Sequence, residues 1–215
     1  RDSPTLGQAL AKWERDALPG RFGKWFESRP AKFEAEFKWA LLDNPEFKSL
    51  NGAGIERQDD GSFLLKGNNP KDDRWVVTAK ASSAPITGVR IEALTDPSMN
   101  RNGPGRAENG NFSLSDLRVF VEPLDGSGKR AAVKLVNPQA THQQNKIGLS
   151  VASSIDDNKR SSGWAVDRGG IDKAQTAVFE FETPITHPSG TKLTLELDFF
   201  TNTKHTIGRP RFAIT

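Results

Sequence analysis

Hydrophobic positions recur along this chain with two different periods. Up to about residue 50 the spacing is helical: Leu6, Leu10, Trp13 and Ala17 follow one another at intervals of three or four, behind Ser3 as N-cap and Pro4 at the first helical position. Pro19 and Gly20 close that segment. A second helical run is predicted at about 30–42, with Phe33, Phe37, Ala40 and Leu41 on one face and Glu and Lys opposite. Aromatic stripes of this kind are ordinarily core, so Trp13 and Trp39 read as packing residues.

Beyond residue 50 the period shortens to two. Strands are predicted at 54–57 and 62–66 around the turn Gln58-Asp59-Asp60-Gly61, then at 75–80, 86–94, 112–121, 131–136, 148–152, 163–166, 176–181, 192–199 and 207–214. Short strands without alternating helices, separated by Gly, Pro, Asn and Asp, predict an all-β fold, an antiparallel jelly-roll β-sandwich. The expected division is a helical appendage or linker over 1–50 and a sandwich over 51–215. Strands 86–94 and 112–121 are joined by about seventeen polar or Gly/Pro residues, longer than a hairpin needs, which marks that loop for function or ion binding.

Composition narrows the chemistry. The 215 residues suffice for one large β domain without staples, and the absence of cysteine excludes disulfides, thiolate metal sites and a C-x-x-C-H haem attachment. A net charge of +3, with both signs interspersed, gives no footprint for nucleic acid. No apolar run approaches membrane-spanning length, so membrane insertion is not expected. Arg1 in place of a start methionine is expected of a processed piece, whose exported parent would have lost its leader. The three histidines, His142, His187 and His205, stand far apart and do not spell a zinc motif. Gly126-Ser127-Gly128-Lys129 reads as a hairpin turn, lacking the rest of a phosphate loop. No nucleophile elbow is present, and a hydrolase would require two carboxylates facing each other in a cleft. The expectation is a protein that is not an enzyme.

Binding features carry more. Asp96, Asp156 and Asp157 lie in oxygen-rich loops of the kind that hold Ca²⁺, although the same side chains cap turns equally well. Trp164 offers a face for a sugar ring, against the ordinary reading of a Trp-Ala-Val strand start as core. Arg101 and Arg106, Lys159 and Arg160, and Lys204, His205, Arg209 and Arg211 form basic clusters loop by loop. Brought to one end of a sandwich they would pair with carboxylate or sulfate groups; left apart they are a solvated rim. The predicted ligand-binding set is Arg106, Asn109, Asn111, Arg160, Trp164, His205 and Arg209.

The succession Trp39-Ala-Leu-Leu-Asp, Asp59-Asp60-Gly61-Ser62, ITGVRIEALTDPSM, GPGRAENGNFSLSDLRV, SSGWAV, AVFEFETPI and HTIGRPRFAIT resembles a β-sandwich segment of large exported planctomycete proteins. Those proteins also carry a cytochrome-c-like haem domain and planctomycete domains of unassigned function. The likeness covers about residues 35–215 and implies an extracytoplasmic bacterial module lying among other domains of one polypeptide. The order N-x-N-F-x-L-S-x-L-x-V, Ser-Gly-Trp, A-V-F-E-F is also similar to the galactose-binding-like jelly roll of discoidin-type and carbohydrate-binding modules. That similarity implies glycan binding through loops at one end and a structural Ca²⁺, with no ligand motif transferable residue by residue. Pro210 and Arg211 depart from the usual smooth last strand and place its start at a bend or an edge. The expected function is a non-catalytic carbohydrate-binding module for a polysaccharide, an anionic one included. The alternative is a structural or docking domain that makes protein contacts and binds no sugar.

Overall fold

A computed structural model describes residues 6–17, 38–82, 84–158 and 160–215. Two compact units divide after Lys38. The first contains helix α1 (Leu6–Asp16). Ser3, Pro4, Pro19, Gly20 and the predicted helical residues 30–37 lie outside the described residues.

The second unit is an antiparallel β-sandwich. Its strands are β1 (Ala40–Leu41), β2 (Glu46–Ser49), β3 (Gly54–Arg57), β4 (Phe63–Lys66), β5 (Asp73–Ala81), β6 (Ile86–Leu94) and β7 (Ser113–Leu114). They continue as β8 (Asp116–Pro123), β9 (Ala131–Val133), β10 (Leu135–Ala140), β11 (Trp164–Ala165), β12 (Gln175–Ile185), β13 (Thr191–Phe199) and β14 (Arg209–Ile214). One sheet has the order β1-β14-β6-β12-β10 and the other β2-β5-β13-β8-β9, with β3-β4 and β7-β11 as small pairs. The chain changes sheet between β1 and β2, β5 and β6, β6 and β8, β9 and β10, β12 and β13, and β13 and β14. That repeated crossing is the wrapping of a jelly roll.

Alternation builds the core. Trp75, Val77 and Ala79 of β5, Leu193, Leu195 and Leu197 of β13, and Leu117, Val119 and Val121 of β8 face inward and are buried. Val89, Ile91 and Ala93 of β6 and Ala177, Phe179 and Phe181 of β12 meet them from the other sheet. Leu94, at the end of β6, falls in the opposite phase to Ile91 and Ala93 and is half-exposed.

Two boundaries differ from expectation. Ala40 and Leu41, predicted as the end of a helix, pair with β14, and β2 pairs with β5. The sandwich therefore begins before residue 50. The reason is Phe47, whose ring packs edge-on against Phe63, Trp75 and Phe212 at 5.1–5.9 Å between centroids, so this segment completes the aromatic end of the core. The predicted strand at 148–152 is instead a loop entering a 3₁₀ turn at Val151–Ser154. Asn145 Oδ1 accepts the backbone N–H groups of Ile147 and Leu149 and so withdraws them from a ladder. The turn 126–129 is a hairpin tip as predicted, with Asp125 Oδ1 accepting the Ser127 N–H. Pro210 sits in β14 where β6 pairs on one side and β1 reaches only Ala213 and Ile214, an edge position that tolerates its missing donor.

The outward face of the β13 sheet carries a charge ladder. Asp198 is fully buried although it points away from the core, because Arg74 of β5 covers it with Nε at 2.5 Å and Nη2 at 3.0 Å, and Arg118 of β8 with Nη2 at 3.0 Å. Glu196, one step along, takes Arg118 at 3.2 Å and Arg130 at 2.5 Å. Breaking a buried pair strands the partner charges. Asp198→Asn is expected to cost about 2–4 kcal/mol in urea denaturation, the low end reflecting the partial exposure of both arginines. Lys134→Ala, which breaks an exposed pair with Glu182, should cost less than about 1 kcal/mol.

Candidate functional site

The long loop before β7 is folded on itself. Asp96 Oδ1 accepts the Ser98 N–H and hydroxyl at 3.0 and 2.6 Å, a 3₁₀ turn follows at Asn100–Asn102, and the Gly105 N–H donates to Gly110 O at 2.8 Å. Gly105 runs so close to the segment leading into β7 that a Cβ there would lie 1.9 Å from Asn111 O. Gly110 adopts φ of +79°, a region costly for other residues. The folded loop is tied to the segment before β14: Arg106 N–H donates to Thr206 O at 2.9 Å, Gly208 N–H to Pro104 O at 2.7 Å, and Ser113 N–H to His205 O at 2.9 Å.

A third segment, after β4, closes against these two. The Arg106 guanidinium donates to the carbonyls of Gly67 and Asn68, both at 2.9 Å. Asn69 Nδ2 donates to Arg106 O at 3.1 Å and Lys204 O at 3.3 Å. Three stretches distant in sequence thus wall a groove made of two depressions that share Asn69, Asn100 and Arg106. The first, about 550 Å³, is completed by Leu65, Lys66, Gly67, Ser98 and Met99. The second, about 610 Å³, is completed by Glu108, Asn109, Thr203, Lys204 and His205. Hydrogen-bonding side chains dominate the lining. His205 Nδ1 sits 2.6 Å from Thr203 O; since a carbonyl only accepts, Nδ1 carries a proton and Nε2 is left for another partner. Burial pulls the Arg106 guanidinium below its ordinary value, opposed by the field of Asp73.

Of the predicted ligand residues, the groove gathers Arg106, Asn109 and His205. Four others are elsewhere. Trp164 is completely buried, edge-on to Phe112 at 4.8 Å, with Nε1 donating to His142 O, so it is a core residue and not a sugar platform. Asn111 is buried and its Oδ1 accepts the Val166 N–H, which leaves it structural. Arg160 lies 5.6 Å from the Phe200 ring centre, a cation–π contact outside the groove. Arg209 is engaged by Ser62, Asp60 and Asp96.

The carboxylates predicted for Ca²⁺ are dispersed. Asp96 caps its turn and pairs with Arg209; Asp156 accepts the Asn158 N–H and the Ser162 hydroxyl; Asp157 lines a separate concavity beside β8 and β9. Among the described residues no group of three or more His, Cys, Asp or Glu side chains converges. Sequence reasoning missed Asn69, Asn100 and Glu108. Asn69 follows Gly67-Asn68 and carries only a turn signal, and its place in the wall depends on Arg106, 37 positions away.

Two outcomes follow from this geometry. Gly105→Ala is expected to destabilise the chain by more than about 2 kcal/mol, because backbone must move to admit the methyl, and to open the loop to limited proteolysis. Asp60 and Asp96 are the second case. Burial pushes both carboxyls up, but hydrogen bonds from Ser62 and Ser98 and the charge of Arg209 outweigh it and hold them below the ordinary 3.8. A carboxyl held low adds stability above its unfolded value, lost as pH falls through the folded one. Arg209→Gln should therefore flatten the loss of stability below about pH 4, read from urea midpoints against pH, and leave the alkaline side unchanged in shape.

No protein-family model matches the chain, and no curated protein matches it.

Proposed function

We propose that the sandwich is a non-catalytic carbohydrate-binding module that takes a polysaccharide along the groove walled by residues 65–69, 98–109 and 203–205. The observation that carries this reading is the lining itself. The Arg106 guanidinium, Lys204 and the His205 imidazole line a trough whose walls are braced by Asn69, Asn100 and Asn109: Asn69 Nδ2 donates to the carbonyls of Arg106 and Lys204, Asn100 Nδ2 to Ala107 O, and Asn109 Nδ2 to Asp167 while its Oδ1 accepts the Asn111 N–H. Sugar hydroxyls both donate and accept, so the cationic side chains donate to them and Glu108, in the same lining, accepts. With Trp164 in the core, recognition rests on hydrogen bonds and charge, not on stacking. A rigid wall keeps the ordering cost of binding low.

The reading agrees with the resemblance to galactose-binding-like modules, whose glycans are held by loops. It places the module outside the cytoplasm, in an exported bacterial polypeptide of planctomycete type and beside other domains of the same chain. No helix among the described residues is long and apolar enough to cross a membrane. A second reading, a docking domain, is favoured by a different concavity of about 620 Å³ beside β9 and β10, where Val133, Leu135 and Ile155 are interleaved with Asp116, Arg118, Lys134 and Asp157. A lining that mixes apolar and charged side chains of both signs suits a protein partner better than a sugar.

The discriminating measurement is affinity electrophoresis of the 215-residue chain in gels containing neutral, uronic-acid or sulfated polysaccharides, each with Ca²⁺ and with chelator. Retardation by at least one polymer is expected. Lys204→Ala combined with His205→Ala should weaken it about tenfold, the value of one or two charge-assisted hydrogen bonds. Arg160→Ala should leave it unchanged. A folded chain retarded by no polymer would turn the reading to docking.

A further inference from the structure

The groove has two unlike halves, and the difference is one of charge. Glu108 stands in the second depression with Lys204 and His205, whereas the described lining of the first contains Lys66 and Arg106 and no carboxylate. We infer that the first depression is an anion subsite, which seats a carboxylate or sulfate group borne by a sugar ring while the rest of the polymer runs through the second. The inference rests on the carbohydrate reading and names the class of sugar.

Arg106 is the centre of the argument. A guanidinium carries five N–H donors; two are engaged by the carbonyls of Gly67 and Asn68. Those carbonyls fix the plane of the group and leave donors over for a ligand. The other half-buried arginines of the sandwich meet carboxylates: Arg74 and Arg118 meet Asp198, Arg209 meets Asp60, and Arg90 and Arg211 meet Glu92. Among the described residues Arg106 is paired with none, and Asp73, which acts on it through its field, is itself held by Ser49, Asn51 and Trp75. A partly desolvated cation without a counter-ion attracts an oxyanion more strongly than an exposed one, because less water screens the contact. Carbonyl anchoring also means that the site is formed before the ligand arrives, and Arg presents the fork that carboxylate and sulfate oxygens match.

Lys66 contributes from the rim. It pairs with Glu56 at 2.5 Å, both side chains being about half-exposed, so its charge is partly offset and remains within reach of solvent. Reversing it changes the potential of the first depression without touching the anchors of Arg106. Lys66→Glu is thus the variant that leaves the fold in place, while Arg106→Lys keeps the charge and removes the fork.

The test uses anionic polymers and neutral polymers of the same backbone in affinity gels: polygalacturonate against its methyl ester, and dextran sulfate against dextran. The expected result is retardation by an anionic member and not by its neutral counterpart, weakened about tenfold by Arg106→Lys and lost with Lys66→Glu, with thermal melting showing both variants folded. Which pair shows the difference tells carboxylate from sulfate. Equal retardation by the neutral and anionic members would overturn the anion subsite and leave the carbohydrate reading standing. Retardation by anionic polymer that survives Lys66→Glu undiminished would also overturn it, placing the contact elsewhere. No retardation by any polymer would remove the carbohydrate reading and the subsite together.

Discussion

The missing β-carbon at Gly105 is the constraint on which the candidate site depends. Only there does the chain bring the backbone of residue 105 against Asn111 O at a distance that a methyl group would violate. That approach folds residues 103–111 into a compact knot, which then presents Arg106 N–H and Pro104 O to Thr206 and Gly208. Asn111 fastens the other side through Val166. A long connection between two strands would otherwise be a mobile loop, with little to hold a side chain in one place. Folded this way, it becomes one wall of a groove, and Arg106 is aimed by its neighbours before any ligand is present.

The sandwich beneath makes this possible by bringing the right strand ends together. β6 and β14 are neighbours in one sheet, so the loop leaving β6 at Leu94 and the segment entering β14 at Arg209 start side by side. β4 contributes residues 63–66 just outside that sheet, and Leu65 N–H donates to Gly208 O, which sets the position of Lys66, Gly67 and Asn69. The charge ladder around Asp198 acts on the other sheet. It ties β5, β13 and β8 together across the sheet, Arg74 and Arg118 meeting Asp198 and Arg118 and Arg130 meeting Glu196 in the observed register.

The sandwich was legible because its strands alternate strongly. β6 was predicted with its observed limits, and β5, β12, β13 and β14 within a few residues, since burial on one face imposes period two. β1 and β2 were hidden because a two-residue and a four-residue strand are too short to show a period, and Ala40 and Leu41 continue a helical spacing set up by Phe33 and Phe37. The site was legible only in part. Arg106, Asn109 and His205 stood out as polar residues in loops, and so did Asn111 and Arg209, yet nothing local separates a loop residue that lines a groove from one buried against a distant segment. That choice is made by closure between residues 105 and 207, about a hundred positions apart. Trp164 shows the same limit, since its environment is set by Phe112 and His142, neither of them adjacent.

On the carbohydrate reading proposed above, with Trp164 in the core and no tyrosine in the chain, the groove would have to achieve affinity without a flat aromatic face. Hydrogen bonds to hydroxyls return little net free energy, roughly 0.5–1.5 kcal/mol each, because water competes for the same groups. Neutral sugars in such a trough would be held weakly unless many contacts acted at once. A charged contact changes the balance, since bonds to an ionised group are worth roughly 1.5–3 kcal/mol, and more where the protein partner is already half withdrawn from water. Arg106 meets that condition, and the asparagine amides around it brace the wall that holds it. The physical logic of the groove therefore favours a ligand whose charge supplies the affinity and whose hydroxyl pattern supplies the selectivity.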